Sequence, residues 1–411
     1  MTIISRIRSH FENTPNRVVL KWFDDKGKQA NSRTYRELWK KSGSIAAELG
    51  KQGIQKGERV MLVFPFGLEF MDGLIGCMRA GVIKVSVYPP NPEKLDIDIP
   101  KFEHFVRDSG SKVVITTLSY YIATCIKSPL GRGKWPELKW IKGDRSKGEY
   151  TEEIEEEIAF IQYTSGSTGD PKGVVVKHQN LERHLDLLAV GIGGSSDLIG
   201  VTWLPQYHDY GLICNYLLVI YVGGTWACMS PLSFIKKPLL WVDLLERERA
   251  THTAAPNFAW GLLHKRLDGK TFNGSTLTHV DISAEPIDPR TLDQMVEIGV
   301  PKDAISGTYG MAESIALLFC KGTGFVDGFA SCGQINDSEN KIHIVKGKIF
   351  VQGNALASGY WNKPKLTAET FQNVLEGEEG MWLDTGDLGF VHDGQLYVQG
   401  REKEASEGVY T

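Results

Sequence analysis

With 411 residues, 42% of them hydrophobic and 23% charged, the chain is long enough for two or three packed units and too apolar for disorder. A formal charge of -4, with no Lys/Arg cluster interleaved with aromatics, implies no nucleic-acid footprint and sends the search for a ligand to pockets. Six scattered cysteines form no Cys-x-x-Cys pair and no signal peptide opens the chain, which sets aside zinc ribbons, redox motifs and secreted disulfide frameworks and favours a cytoplasmic location.

Residues 5–50 carry two helical patterns around a strand candidate at 17–22, and Thr34-Tyr35-Arg36-Glu37-Leu38 marks a helix start with Thr34 near the N-cap. An α/β alternation follows. Residues 59–64, 82–88 and 113–116 have strand character and residues 67–80 and 101–108 helical character, an order that implies a parallel sheet with helices on its faces. Residues 128–157, rich in Ser, Pro, Gly and charge, read as an internal boundary that ends in a solvated acidic run from Glu152 to Glu157.

A short buried strand at 158–163 then leads into the stretch on which the chain turns, Tyr-Thr-Ser-Gly-Ser-Thr-Gly-Asp-Pro-Lys-Gly at 163–173. Gly166 and Gly169 let backbone N–H groups approach an anion, Thr164, Ser165, Ser167 and Thr168 add hydroxyl donors, and Lys172 adds a positive charge behind the restricting Pro171. The loop suits phosphate, yet it is neither a Walker loop, a Gly-x-Ser-x-Gly elbow nor a Gly-x-Gly-x-x-Gly fingerprint.

Beyond it, residues 180–190 and 238–249 read as helices and residues 198–204, 251–255 and 279–282 as strands. Residues 211–229 are uncharged over nearly the length of a membrane span, but Gly223-Gly224 divides them and Asn215 interrupts them, so a buried helix and strand are expected. From about Ser331 the texture turns to short strands at 341–345, 348–352 and 396–399, a small β-rich unit.

Four polar clusters follow strand candidates, where open α/β sheets collect ligands. Within 203–212 His208 stands beside Asp209; sequence neighbours rarely make a working dyad, so a turn that sets His208 beside a substrate is the better reading. Ser283-Ala284-Glu285-Pro286 forms a backbone-rich turn. Thr308-Tyr309-Gly310-Met311-Ala312-Glu313 offers Tyr309 to stack on a base, Gly310 for close approach, and Glu313 to hold Mg2+ against phosphate oxygens. In Leu383-Asp384-Thr385-Gly386-Asp387-Leu388, Asp387 suits a ribose diol. Together they represent phosphate, base, metal and sugar functions of a nucleotide site.

These motifs, with Gly-Arg-x-Lys-Glu at 400–404, resemble the core motifs of the adenylate-forming (ANL) superfamily, from about Thr34-Tyr35 to Glu404. Trp-Leu-Pro-Gln-Tyr-His-Asp-Tyr-Gly-Leu at 203–212, Tyr-Pro-Pro-Asn-Pro at 88–92, Ser-Pro-Leu-Ser-Phe at 230–234 and Ala-Pro-Asn-Phe-Ala at 255–259 resemble the fatty acyl-AMP ligases within it. The resemblance implies an α/β fold of two stacked doubly wound subdomains (about 1–330) plus a small β-rich, distorted-barrel part (about 331–399), with a hinge at 400–411. It implies a two-step enzyme: a fatty carboxylate attacks the α-phosphate of ATP with Mg2+, pyrophosphate leaves, and the acyl adenylate passes to the phosphopantetheine thiol of an acyl carrier protein. By motif, Thr164 to Lys172 hold the pyrophosphate portion, Glu313 the metal, Tyr309, Gly310 and Met311 with Ser283, Ala284 and Glu285 the adenine, and Asp387 with Arg401 the ribose. His208, Asp209, Leu212, Asn257 and Phe258 border the acyl pocket, and Lys403 is the hinge position.

Three departures accompany the resemblance. Ser283 stands where the family's adenine turn usually begins with glycine, and only 17 residues, 314–330, separate Glu313 from Ser331, where these ligases commonly carry a longer segment associated with poor CoA use. The family's C-terminal lid domain and its catalytic lysine are expected to be absent, because the chain stops soon after Lys403, and adenylation by this chain is expected to be impaired. The readings that stay open beside the ligase are an acyl-CoA synthetase, with CoA as acceptor, and a non-catalytic acyl or adenylate binding module.

Overall fold

The computed structural model describes residues 2–127, 135–151, 156–164, 171–334 and 339–403. The chain divides into two compact units, Met1–Leu20 with Asn31–Glu182 and Tyr360–Lys363, and Lys21–Ala30 with Arg183–Gly359 and Pro364–Thr411.

The first unit is built on a six-stranded sheet in the order Lys139–Lys142, Val113–Thr116, Arg59–Leu62, Ile83–Ser86, Ile158–Tyr163, Gly173–Lys177. All neighbours are parallel except the last pair, a hairpin. From Arg59–Leu62 the chain steps first to one neighbour and then, through Val113–Thr116, to the other side. Right-handed crossovers in opposite directions put helices on both faces, so the sheet is doubly wound. Thr34 starts the helix Tyr35–Lys51 as expected: its side chain accepts the Glu37 N–H while the Glu37 carboxylate accepts the Thr34 N–H. The boundary expected at 128–157 is not one in the described part of that stretch. Lys139–Lys142 pairs in register with Val113–Thr116, so the sheet continues through it, and the division of units falls later, within the helix His178–Ile192.

One residue of this sheet is out of keeping with its surroundings. Lys84 lies on Ile83–Ser86 with no exposure, its Nζ 2.9 Å from Ser86 Oγ and 3.9 Å from the centre of the Phe160 ring. Burial pushes its amine well below the ordinary lysine value. The unfolded chain therefore binds a proton that the folded chain refuses, so stability falls as pH drops from the unfolded lysine value toward the folded one. Lys84→Met is expected to stabilise the protein by about 1–3 kcal/mol at neutral pH, with the gain shrinking toward pH 10; urea unfolding at both pH values checks it, and a gain that is independent of pH contradicts it.

In the second unit the sheet runs Leu317–Gly322, Ile305–Gly310, His279–Ile282, His252–Ala255, Ile199–Thr202, Thr225–Cys228. Its central neighbours are parallel, and Leu317–Gly322 returns antiparallel beside Ile305–Gly310. The uncharged stretch at 211–229 resolves into successive helical segments, Asp209–Gly211, Leu212–Leu217 and Leu218–Val222, which end at Gly223 with φ 90°, followed by the strand Thr225–Cys228. Every side chain from Leu212 to Tyr221 is buried. Among the described residues no helix is long and apolar enough to cross a membrane.

The β-rich part is an antiparallel meander of Lys341–Val345, Lys348–Gln352, Leu383–His392 and Gln395–Arg401. Its apolar residues Ile349, Val351, Leu383 and Leu396 share one core cluster with Leu187 and Leu318. That cluster also takes in the ring of Tyr309, which fixes the end of Ile305–Gly310 against the meander.

Candidate active site

In the first unit, the incoming strand Ile158–Tyr163 is wholly buried at Ala159, Phe160 and Ile161. It ends at Thr164, whose N–H donates to the Lys172 carbonyl at 3.0 Å, while Thr164 Oγ1 accepts the Lys172 N–H at 3.4 Å. The loop is thus closed at its neck, and Lys172 Nζ stands 5.3 Å from the centre of the Tyr360 ring. Ser165, Gly166, Ser167, Thr168 and Gly169 lie outside the described residues.

In the second unit, the two motifs read separately for base and sugar meet. The Tyr309 hydroxyl donates to Asp387 Oδ2 at 2.5 Å, and Arg401 Nε lies 3.0 Å from Asp387 Oδ1. The carboxylate is buried and the guanidinium half exposed. Burial, with the Asp387 charge behind it, pushes the Tyr309 phenol well above its ordinary value, so it stays a donor. On the adjoining strand Ser283 Oγ donates to the Thr308 carbonyl at 3.1 Å, and Thr308 Oγ1 to the Ile282 carbonyl at 3.2 Å. The hydroxymethyl that replaces the family glycine is therefore absorbed in a cross-strand hydrogen bond. Ala284, the next residue, takes the left-handed φ of 73°.

Glu285 is exposed, and its carboxylate accepts the Phe258 N–H at 3.0 Å at the start of the helix Asn257–Leu267. Asn257 Nδ2 donates to the Pro286 carbonyl. Asn257 and Phe258 are thus tied to the 283–286 turn, with the exposed Phe258 ring edge-on to Trp203 at 5.9 Å, whereas Leu212 is fully buried. Gly310 also answers to packing: a Cβ there would lie 1.9 Å from the Ala316 carbonyl oxygen, so the glycine admits the returning strand. The Met311 N–H donates to Ser314 Oγ at 3.0 Å, which shapes the turn that carries Glu313. The Glu313 carbonyl accepts the Ala357 N–H at 3.0 Å, and the residue is 8% exposed.

A further contact joins His208 and Asp209. The two were set aside as a working dyad on sequence grounds, and their side chains do touch: His208 Nδ1 lies 2.6 Å from Asp209 Oδ1. His208 has extended backbone angles and Asp209 is the first residue of a helix, so the two side chains fold back on each other instead of alternating as in a strand.

A family model described as AMP-binding enzyme matches residues 7–361. The chain belongs to the AMP-binding enzyme family. As an AMP-binding enzyme it is similar to the medium-chain-fatty-acid–[acyl-carrier-protein] ligase JamA of Moorena producens, at 31% identity over 97% of this chain and 76% of the relative. It is also similar to a 4-hydroxyphenylalkanoate adenylyltransferase of Mycobacterium tuberculosis, at 30% identity over 95% and 72% of the two chains. Among solved structures, a fatty acyl-adenylate ligase from L. pneumophila in complex with acyl adenylate and pyrophosphate superposes with a TM-score of 0.88 at 29% identity, covering 98% of this chain and 78% of that one.

For an AMP-binding enzyme of this kind the metal question turns on Glu313. Among the described residues no group of three or more His, Cys, Asp or Glu side chains is disposed to hold a metal ion. A single hard carboxylate donor fits Mg2+ that arrives with a nucleotide, since that ion commonly takes one or two carboxylates and fills its shell with phosphate oxygens and water. Sequence reading missed Lys348, whose Nζ lies 2.9 Å from Asp384 and 3.0 Å from Glu402 and so fastens the residues before Lys403, itself exposed, to the meander. It also missed His184, a fully buried histidine whose only sequence signal is its place among Leu181, Leu185 and Leu188 on one helix.

Proposed function

We propose that this chain activates a fatty carboxylic acid with ATP as the acyl adenylate and delivers the acyl group to the thiol of an acyl carrier protein. The observation that carries the reading is the whole-chain likeness to a fatty acyl-adenylate ligase holding acyl adenylate and pyrophosphate; the acceptor follows the printed activity of JamA. In the first step a carboxylate oxygen bonds to the α-phosphorus, the bond to the bridging oxygen breaks, and pyrophosphate leaves with its electron pair. In the second a thiolate attacks the acyl carbon and AMP leaves.

The residues divide this work. Lys172 and the loop from Thr164 hold the pyrophosphate portion, where fixed donors stabilise developing charge. Tyr309, Gly310 and Met311, with the 283–285 turn, hold the adenine. Asp387, which accepts from Tyr309 and Arg401, receives the ribose diol. Glu313 holds Mg2+, which neutralises phosphate charge when bound. His208 and Leu212 border the acyl chain, with Asn257 and Phe258 beside the adenine turn, and Lys403 is the hinge.

The test is direct. Incubation with ATP, Mg2+ and a mixture of saturated fatty acids is expected to yield acyl adenylates by mass spectrometry and exchange of labelled pyrophosphate into ATP. Supplied together with CoA and a phosphopantetheinylated carrier protein, the chain is expected to load the carrier. Rapid acyl-CoA formation would make it a synthetase instead, and nucleotide binding without any adenylate would leave a binding module.

A further inference from the structure

The first unit takes in four residues from far along the chain, Tyr360–Lys363. They lie as a strap beside Gly173–Lys177, the outermost strand of the six-stranded sheet. Tyr360 forms an antiparallel bridge with Val174, and the Trp361 N–H donates to the Gly173 carbonyl at 2.7 Å. Farther on, Asn362 Nδ2 donates to the Asp108 carbonyl at 3.3 Å, Lys363 Nζ lies 3.5 Å from Asp108 Oδ1, and the Arg59 guanidinium stands 5.6 Å from the centre of the Trp361 ring. Asp108 Oδ2 also accepts the Tyr163 hydroxyl at 2.6 Å. One aspartate thus holds both the strap and the last residue of Ile158–Tyr163, the strand that delivers the phosphate loop.

This register decides where the Tyr360 ring goes. Bridged residues carry their side chains on one face of a sheet, and residues two apart along a strand share that face. Tyr360, opposite Val174, is therefore the diagonal neighbour of Lys172, a spacing that aromatic and long side chains span. Tyr360 is 6% exposed and the centre of its ring lies 5.3 Å from Lys172 Nζ, within the range of a cation over an aromatic face. Among the described residues that ammonium has no ion-pair partner. The kind of neighbour matters. A carboxylate would neutralise the lysine and compete with phosphate for it, whereas an aromatic face holds an ammonium through its quadrupole and leaves the charge open to an anion on the other side. A lysine also gives up rotamer freedom when a phosphate fixes it, and a ring that already restrains it removes part of that cost.

We propose that Tyr360 is a positioning residue that holds the Lys172 ammonium against its ring, charged and aimed in advance at the phosphates of the incoming nucleotide. The inference rests on the adenylation reading above, in which Lys172 takes the pyrophosphate portion. No bond is made or broken by the ring. Its contribution is to phosphate binding, so it is felt by the nucleotide and not by the acid.

The experiment measures ATP binding with Mg2+ by calorimetry on the full chain, and KM for ATP and for decanoate by pyrophosphate exchange. Tyr360→Leu is expected to weaken ATP binding about tenfold, the scale of one desolvated cation–π contact, and to raise the KM for ATP with that for decanoate unchanged. Tyr360→Phe keeps the aromatic face and is expected to stay within about threefold of the parent. In a Lys172→Ala background the leucine substitution is expected to add less than about twofold, because nothing remains for the ring to hold. Equal losses in the phenylalanine and leucine variants, an equal loss with and without the lysine, or a loss that falls on decanoate overturns the assignment. If Tyr360→Leu does not fold, phenylalanines carrying one, two and three ring fluorines at position 360 keep the shape and drain the negative face. Affinity for ATP is then expected to fall stepwise with fluorine count, and a flat series overturns the proposal. Failure of the function looks different: a parent that binds ATP but forms no adenylate loses the adenylation reading, while the ring variants can still be compared by ATP binding. A parent that binds no ATP overturns both.

Discussion

Glu313→Gln is expected to lower acyl-adenylate formation by about 100-fold or more, the scale for removing one fixed group that stabilises charge developing on oxygen, while leaving the unfolding curve in place. The change is nearly isosteric, and it keeps the backbone contact in which the Glu313 carbonyl receives the Ala357 N–H. What goes is the anionic oxygen. An amide is a weak ligand for Mg2+, a hard cation that parts reluctantly with its water, and the described residues provide no acidic cluster to take over. Labelled pyrophosphate exchange at saturating ATP and Mg2+ reads the effect. Exchange within twofold of the parent would remove Glu313 from the metal role.

Gly310→Ala is expected to cost about 3 kcal/mol of stability, at the upper end for overpacking a core, and to weaken nucleotide binding along with it. The added Cβ meets the Ala316 carbonyl oxygen at 1.9 Å and the Leu317 Cα at 2.6 Å, both of them backbone atoms that cannot rotate aside. Either Ile305–Gly310 or its antiparallel neighbour must move, at a point where the register is already irregular between Tyr309 and Gly310. Tyr309 is the adjacent residue, so its short hydrogen bond to Asp387 loosens in the same displacement. Denaturant unfolding measures the first effect and calorimetry with ATP the second. A variant within about 0.5 kcal/mol of the parent, the range of an ordinary surface change, would mean that the strands part without cost and that the glycine answers to something else.

Much of this was legible before any coordinates. The strands His279–Ile282, Lys341–Val345 and Lys348–Gln352 have the predicted bounds, because apolar or β-branched runs between turn residues announce themselves. The start of Tyr35–Lys51 was readable from Thr34 because capping is a local matter. The strand Gln29–Thr34, by contrast, is polar and mostly exposed, and nothing in its composition signals pairing. Leu383–His392 hid inside its own motif: the glycine at 386 with φ 70° looks like a turn but is an irregularity within a ten-residue strand. Lys139–Lys142 was obscured by the charge around it and is held by register with its neighbour.

The site divided along similar lines. The motifs named the candidate residues. That Tyr309 and Asp387, 78 positions apart, share a hydrogen bond was not visible, because long-range pairing leaves no trace in spacing. That His208 and Asp209 touch was hidden for a local reason. Neighbouring side chains diverge in an extended chain, and only the change of backbone conformation at the helix start turns them toward each other.

One consequence lies in the Asp387 carboxylate. It is the middle link in a chain of three, with the end of a sheet strand on one side and, through Arg401, the run of residues toward Lys403 on the other. One buried charge therefore fastens two separate stretches of chain, so that neutralising it would release Arg401 and loosen Tyr309 in a single stroke.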